Sequence, residues 1–149
     1  MSCATSPASR YELLRPRYWG LALQVGADLV EAHRRIRARP LDQLCAQWRR
    51  ESPCKLSTEQ KLATLVRVRR CANFALSLFY ANRRRRCLPR SLVLYRWACK
   101  LDMEVSLHLA MHQEGAKRDG HCWIEIDGEP LFESERVPRE FGELFQCRP

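Results

Sequence analysis

Cys87-Leu88-Pro89-Arg90-Ser91-Leu92 is the stretch on which the reading of this chain turns. Pro89 suits the first turn of a helix, where its missing N–H has no intrahelical partner to lose. From there Leu88, Leu92, Tyr95 and Cys99 recur at spacings of four, three and four. That period predicts a helix over 88–100 that buries one face. Cys87 then stands at the helix N-terminus, where the dipole favours a thiolate. Arg83 to Arg86, just before it, push the same way, although exposed charges are screened.

About thirty residues on comes Gly120-His121-Cys122-Trp123-Ile124-Glu125. Its residues from His121 to Ile126 read as a strand, and Asp127-Gly128 as a turn pair. A thiol and an imidazole supplied by separate elements are the core of a cysteine nucleophile site, with Cys87 as nucleophile and His121 as base. Trp123 shares a face with His121, either shielding the ion pair from water or simply filling the core. Such a pair usually has an acid or amide on the far side of the ring. Two carboxylates are in range, Asp127 and Glu133. A two-residue turn at Asp127-Gly128 pairs 126 with 129 and sends Glu133 to the opposite face from His121. A three-residue turn, Ile126-Asp127-Gly128 with Gly left-handed, pairs 125 with 129 and so 121 with 133. Directly opposed side chains then lie about 5 Å apart. The need for an orienter favours the second register and Glu133; Asp127 reads better as a turn residue.

Upstream the chain is helical. Trp19 to Arg39 is amphipathic, with Trp19, Leu23, Gly26-Ala27, Val30 and Ile36 near one face. Pro40 stops it, and Leu41, Leu44, Cys45 and Trp48 give a short second helix. Ser57 and Gln60 have capping-box spacing and open a third helix running to about Tyr80. Its apolar positions are Leu62, Leu65, Val66, Ala72, Leu76 and Phe79. After Leu101-Asp102-Met103, residues 104–113 alternate, with Val105, Leu107, Leu109 and Met111 on one face and Ser106, His108, Ala110 and His112 on the other: a strand. Residues 114–120 read as a loop, 129–133 as a third strand and 139–145 as a short helix. Helices first, then a small antiparallel sheet, is the α+β pattern. Residues 1–56 form an N-terminal helical region and 57–149 the core, in one compact domain.

The 149 residues suffice for a real core, and 46% of them are hydrophobic, which excludes a disordered chain. The net charge of +9 favours acidic partners. Eight cysteines at irregular spacings, with no C-x-x-C and no signal-peptide pattern, point to free thiols in a reducing cytoplasm. No apolar run is long enough to span a membrane. His108 and His112 lack third and fourth metal ligands at a sensible spacing, so neither a metal nor any other cofactor is expected.

Cys87-Leu88-Pro89-Arg90-Ser91-Leu92-Val93-Leu94 resembles the nucleophile motif of the lasso-peptide leader peptidases, microcin-processing proteins of transglutaminase-like and papain-like type. Gly120 to Glu125, followed by Asp127-Gly128, resembles that family's His-x-Trp-[Val/Ile/Leu]-Glu strand and turn. The resemblance covers Cys87–Glu133 firmly and the preceding helices loosely. It implies a transglutaminase-like core, with the nucleophile helix packed on a small antiparallel sheet, that removes the leader from a ribosomally made precursor peptide. By carry-over Cys87 is the nucleophile, His121 the base and Glu133 the orienter, at a position where the family commonly has Asp. Cys122 departs from the commoner Ala beside the His. The implied partners are the precursor peptide, a separate leader-recognition protein and an ATP-dependent macrocyclase.

Two other classes compete. The arginine-rich surface would suit a basic module binding nucleic acid or an acidic protein. Arginines are spread over every helix, however, and no zinc-finger or RNA-recognition signature is present. Another Cys–His–acid acyltransferase on the same fold, such as a transglutaminase, shares the acyl-enzyme and cannot be separated from a hydrolase by these motifs.

Overall fold

The computed structural model describes residues 18–49, 54–80, 86–114, 117–132 and 142–147. Its four helices are α1 (Trp19–Ala38), α2 (Leu41–Trp48), α3 (Thr58–Phe79) and α4 (Cys87–Lys100). They precede four strands, β1 (Ser106–Glu114), β2 (Lys117–Ile126), β3 (Glu129–Pro130) and β4 (Gly142–Cys147). The strands form one sheet in the order β3-β2-β1-β4, and every neighbouring pair is antiparallel. This is the α+β architecture that the residue pattern predicts.

Local signals start and stop the helices as the chain suggests. Ser57 Oγ accepts the N–H of Gln60, and the Gln60 side chain accepts the N–H of Ser57, completing the capping box. Pro40 separates α1 from α2.

Helix α4 is the axis of the molecule. It packs on α1, α2 and α3, and on the sheet through β2 and β1. Ser91 to Tyr95 and Trp97 to Cys99 are all buried. The expectation of one buried face is therefore corrected: the helix is enclosed nearly all round. The stripe Leu88, Leu92, Tyr95, Cys99 is real, but Val93, Leu94, Trp97 and Ala98 face other neighbours and are equally covered. A helix with apolar residues on several sides, its Arg96 and Lys100 paired with a buried carboxylate, belongs in a core, and each Leu or Val buried there contributes about 1.5–3 kcal/mol.

Helix α1 is also corrected. Its buried residues are Val25, Asp28, Leu29 and Ala32, with Ile36 packed at the core's margin. The stripe assigned to the core instead faces outward: Trp19 is 58% exposed, Leu23 76% and Val30 71%. The helix carries two apolar stripes, and the buried one is chosen by a carboxylate. Asp28 Oδ2 accepts the indole N–H of Trp97 at 2.9 Å and lies 3.4 Å from Lys100 Nζ. Its Oδ1 lies 2.7 Å from Arg96 Nη1. An acidic residue on an apolar face argues against burial when α1 is read alone; its partners come from α4, some seventy residues on. In α3 the buried residues are Leu65, Val68, Cys71, Ala72 and Leu76, whereas Leu62 and Phe79 are exposed.

The sheet is tighter than expected. Glu114 pairs with Lys117 and residues 117–120 belong to β2, so the loop expected over 114–120 is contradicted at these positions and β1 and β2 form a hairpin; residues 115 and 116 lie outside the described residues. Ile126 pairs with Glu129 across Asp127 (φ 53°) and Gly128 (φ 80°). Two left-handed residues in succession make the two-residue type I′ turn that Asp-Gly favours. This overturns the three-residue register. The third strand ends at Pro130, and Phe132 (φ 67°) turns away from it. The helix expected over 139–145 is contradicted from Gly142 onward, where β4 pairs with β1; residues 139–141 lie outside the described residues. Pairing along β1 outweighs the weak local preference for a helix turn.

The two faces of the sheet differ. Leu107, Cys122 and Ile124 join the main core, with Leu109, Ile126 and Cys147 at its edge. Ser106, His108 and Ala110 of β1 stand opposite Glu125, Trp123 and His121 of β2 on the other face. Among the described residues all seven cysteines are free thiols, and no helix is long and apolar enough to cross a membrane.

Removing the buried carboxylate strands two cations and an indole N–H. Asp28→Ala is expected to destabilise the fold by about 3 kcal/mol or more, read as a lowered urea midpoint. Asp28→Asn, which keeps an acceptor for Trp97, should lose less.

Candidate active site

The chain brings Cys87 and His121 together. Cys87 is the first residue of α4, half-buried, and its Sγ lies 3.8 Å from the carbonyl oxygen of Gly120. The thiol thus reaches β2 where the imidazole leaves it. Arg86, the N-cap residue, makes no side-chain cap, and the first turn contains no acidic residue. The arginine side chain turns back instead, and its Nε donates to the carbonyl oxygen of Tyr80 at 2.7 Å. No side-chain acceptor from the cap position therefore competes for the helix's leading N–H groups.

The electrostatics follow from these contacts. Burial is the largest single influence on the Cys87 thiol and pushes its pKa up. The hydrogen bond and charge of His121, with the backbone N–H groups of Cys122 and Leu88, outweigh it, and the net shift is downward. Burial raises Cys45 and Cys71, so these two thiols are held in their inert form.

A second contact holds the two reacting groups in register. Ser91, one turn after Cys87, donates its hydroxyl to the carbonyl oxygen of Cys122 at 2.7 Å, inside the core. The bond ties α4 to β2 directly beside His121. Nothing in the sequence reading singled out Ser91. Its signal was present all the same: a hydroxyl four residues from Cys87, at the head of the apolar run Leu92 to Tyr95.

Beyond His121 the same face of β2 carries Trp123 and Glu125. The His121 and Trp123 rings stack with centroids 5.9 Å apart and planes at 21°. Trp123 is buried and also stacks with His108 of β1, at 5.3 Å and 13°. The Trp123 indole N–H donates to Glu125 Oε1 at 2.9 Å. The ring is thus placed to cover the imidazole as well as to fill space. Beside the site, β1 and β4 slip register between Leu109 and Ala110, and Ala110 is the residue paired with His121. Such bulges commonly re-aim strands next to active sites.

The third member expected of the site, Glu133, lies outside the described residues. The two-residue turn removes the register argument that set it beside His121. Asp127 occupies the exposed turn itself, as a turn residue should. Arg69 of α3 anchors the chain just before Glu133: its Nη2 donates to the carbonyl oxygen of Phe132 at 3.2 Å, and its guanidinium lies 4.7 Å from that ring's centroid. Of the paired histidines on β1, His108 is buried and contacts Glu125 Oε2 at 3.1 Å. Among the described residues no group of three or more His, Cys, Asp or Glu side chains is arranged to hold a metal ion.

This arrangement can do nucleophilic acyl chemistry: a thiol biased toward thiolate, an imidazole to exchange its proton, and amide N–H groups at hand for an oxyanion. Comparison with known families agrees with it. No curated protein and no solved structure matches the chain. Residues 28–146 match the family described as the transglutaminase-like superfamily, a span that runs from the buried carboxylate of α1 through both reacting groups into β4. The chain belongs to the transglutaminase-like superfamily.

Proposed function

We propose that this protein is a cysteine peptidase that removes the leader from a ribosomally made precursor during lasso-peptide biosynthesis. One observation carries the catalytic part: the Cys87 thiol is hydrogen-bonded to His121 and sits below the ordinary thiol pKa although it is half-buried. A thiol with only a structural role has no reason to be shifted in that direction. The narrower assignment rests on the resemblance of Cys87–Leu94 and Gly120–Glu125 to the motifs of the leader peptidases.

The mechanism follows from the two groups. His121 takes the Cys87 proton, and the thiolate attacks the scissile carbonyl. The tetrahedral intermediate collapses to a thioester carrying the leader, and the core peptide leaves as an amine with a proton from His121. Water, deprotonated by His121, then hydrolyses the thioester and releases the leader. Backbone N–H groups at the start of α4 hold the oxyanion. The role of orienting the far side of the imidazole falls to Glu133 on the resemblance to the leader peptidases alone. The precursor arrives on a separate leader-recognition protein, and an ATP-dependent macrocyclase takes the product. The outward apolar ridge of Trp19, Leu23 and Val30 on α1 supports a protein partner, because apolar residues centred among polar ones are what interface cores use.

Cys87→Ala and His121→Ala should each abolish cleavage of a precursor peptide supplied with its leader-recognition protein, followed by mass spectrometry. Full cleavage by the Cys87→Ala protein would end the peptidase reading. In alkylation by iodoacetamide, Cys87 should react below the pH at which an ordinary thiol ionises. In His121→Ala the midpoint should move up past that value, because burial is then opposed only by two amides. Glu133→Gln should slow cleavage strongly while Asp127→Asn does not; the reverse result would reassign the orienter. Ser91→Ala leaves a buried carbonyl unpaired, and is expected to cost about 1–3 kcal/mol of stability in urea and to lower kcat.

A further inference from the structure

Glu125 lies on the strand of His121, four residues away, on the same face. At about 3.3 Å per residue that is roughly 13 Å along the strand, too far for its carboxylate to touch the imidazole. Its two oxygens are both committed within the sheet. Oε1 accepts the Trp123 indole N–H at 2.9 Å, and Oε2 takes His108 Nε2 at 3.1 Å. Ser106 Oγ lies 2.8 Å from the same nitrogen. His108 is 5% exposed and the Glu125 side chain 15%. A half-buried charge and a buried imidazole are costly features on a sheet face unless they hold something in place.

What they hold is a three-ring stack. Trp123 is near-parallel to both His121, two residues along its strand, and His108, its partner across the ladder. The indole N–H is bonded to Glu125, which stops the ring from rotating, and a carboxylate at that N–H makes the face electron-rich. A cation within about 6 Å of an indole centroid is attracted to that face, and His121 lies at 5.9 Å. The imidazole becomes a cation when Cys87 ionises.

We propose that Glu125 and His108 are positioning residues for catalysis: by clamping the Trp123 indole they hold the His121 ring in place and favour its imidazolium form. The proposal rests on the Cys87–His121 dyad and deepens it. The ionisable groups in contact with His121 or this stack include Cys87 from α4, His108 from β1 and Glu125 from β2, with the neutral Gln146 of β4 3.4 Å from His108; by register Asp119 of β2 and its partner His112 of β1 fall on the same face, next along from His121. No contact of Glu125 with substrate is required.

The test is the pH profile of Cys87 alkylation by iodoacetamide, followed by peptide mass spectrometry in the whole protein without substrate. Glu125→Ala should shift the acid limb upward by about half a pH unit, roughly a threefold loss of reactivity at fixed pH, which is the scale of one cation–π contact. Glu125→Gln keeps an acceptor for the indole and should restore most of the loss. Trp123→Phe, which keeps a ring but has no N–H to anchor, should shift the limb the same way and serves if Glu125→Ala does not fold. If wild-type Cys87 itself titrates as an ordinary thiol, the dyad reading fails and this proposal with it. If the wild type shows the low limb and the profiles of folded Glu125→Ala and Trp123→Phe overlay it, the dyad stands and the clamp is overturned.

Discussion

The molecule depends on one constraint: the first turn of α4 must stay docked against the middle of β2. The bond from Ser91 to the Cys122 carbonyl enforces it where it matters, one turn below the thiol and one residue beyond the imidazole. A helix free to slide by a single residue would carry the sulfur about 1.5 Å along its axis, enough to break a hydrogen bond. Packing all round the helix prevents that. Asp28 pins its far end through Trp97, Lys100 and Arg96, while the sheet and α3 cover its flanks. The N-terminus, with its reactive group, is the end left partly open.

Much of this was legible in the chain. The nucleophile helix, the strand bearing His121, the capping box at Ser57 and the Asp-Gly turn were visible because each is encoded within a few neighbouring residues. The placement of Cys87 and His121 was visible for the same reason: Pro89 and the four-three-four apolar spacing put Cys87 at a helix start, and alternation puts His121 on a strand. The failures share a different cause. The buried face of α1 depends on partners that Asp28 finds in α4. The strand at Gly142–Cys147 exists because β1 offers an edge far away in the chain. The hairpin register was argued from the wish for an orienter beside His121, and the left-handed pair Asp127-Gly128 decides it otherwise. Local backbone chemistry is the better guide to a turn than the function the turn is asked to serve.

The polar residues of the sheet teach a related lesson. His108 and Glu125 read singly as a strand histidine and a strand carboxylate, each with an unremarkable role. Their meaning arises across the ladder, where Ser106 faces Glu125 and His108 faces Trp123. Period-two alternation places them on one side but does not say that this side is also enclosed. A sheet with one solvated face would have left them in water; here both faces carry buried side chains, and the polar ones are satisfied mutually.

The pairing of β4 with β1 has a consequence for how the protein is made. The two strands are joined by a long excursion through the other half of the sheet, so closing the ladder costs the entropy of a large loop. Helices and the β1–β2 hairpin can form from near neighbours, but the bulged edge beside His121 is added only after the last strand has emerged. A newly made chain therefore passes through a stage in which the thiol helix exists while the sheet beside His121 is unfinished, and the surroundings of the Cys87–His121 pair are completed late, as the closing event of assembly.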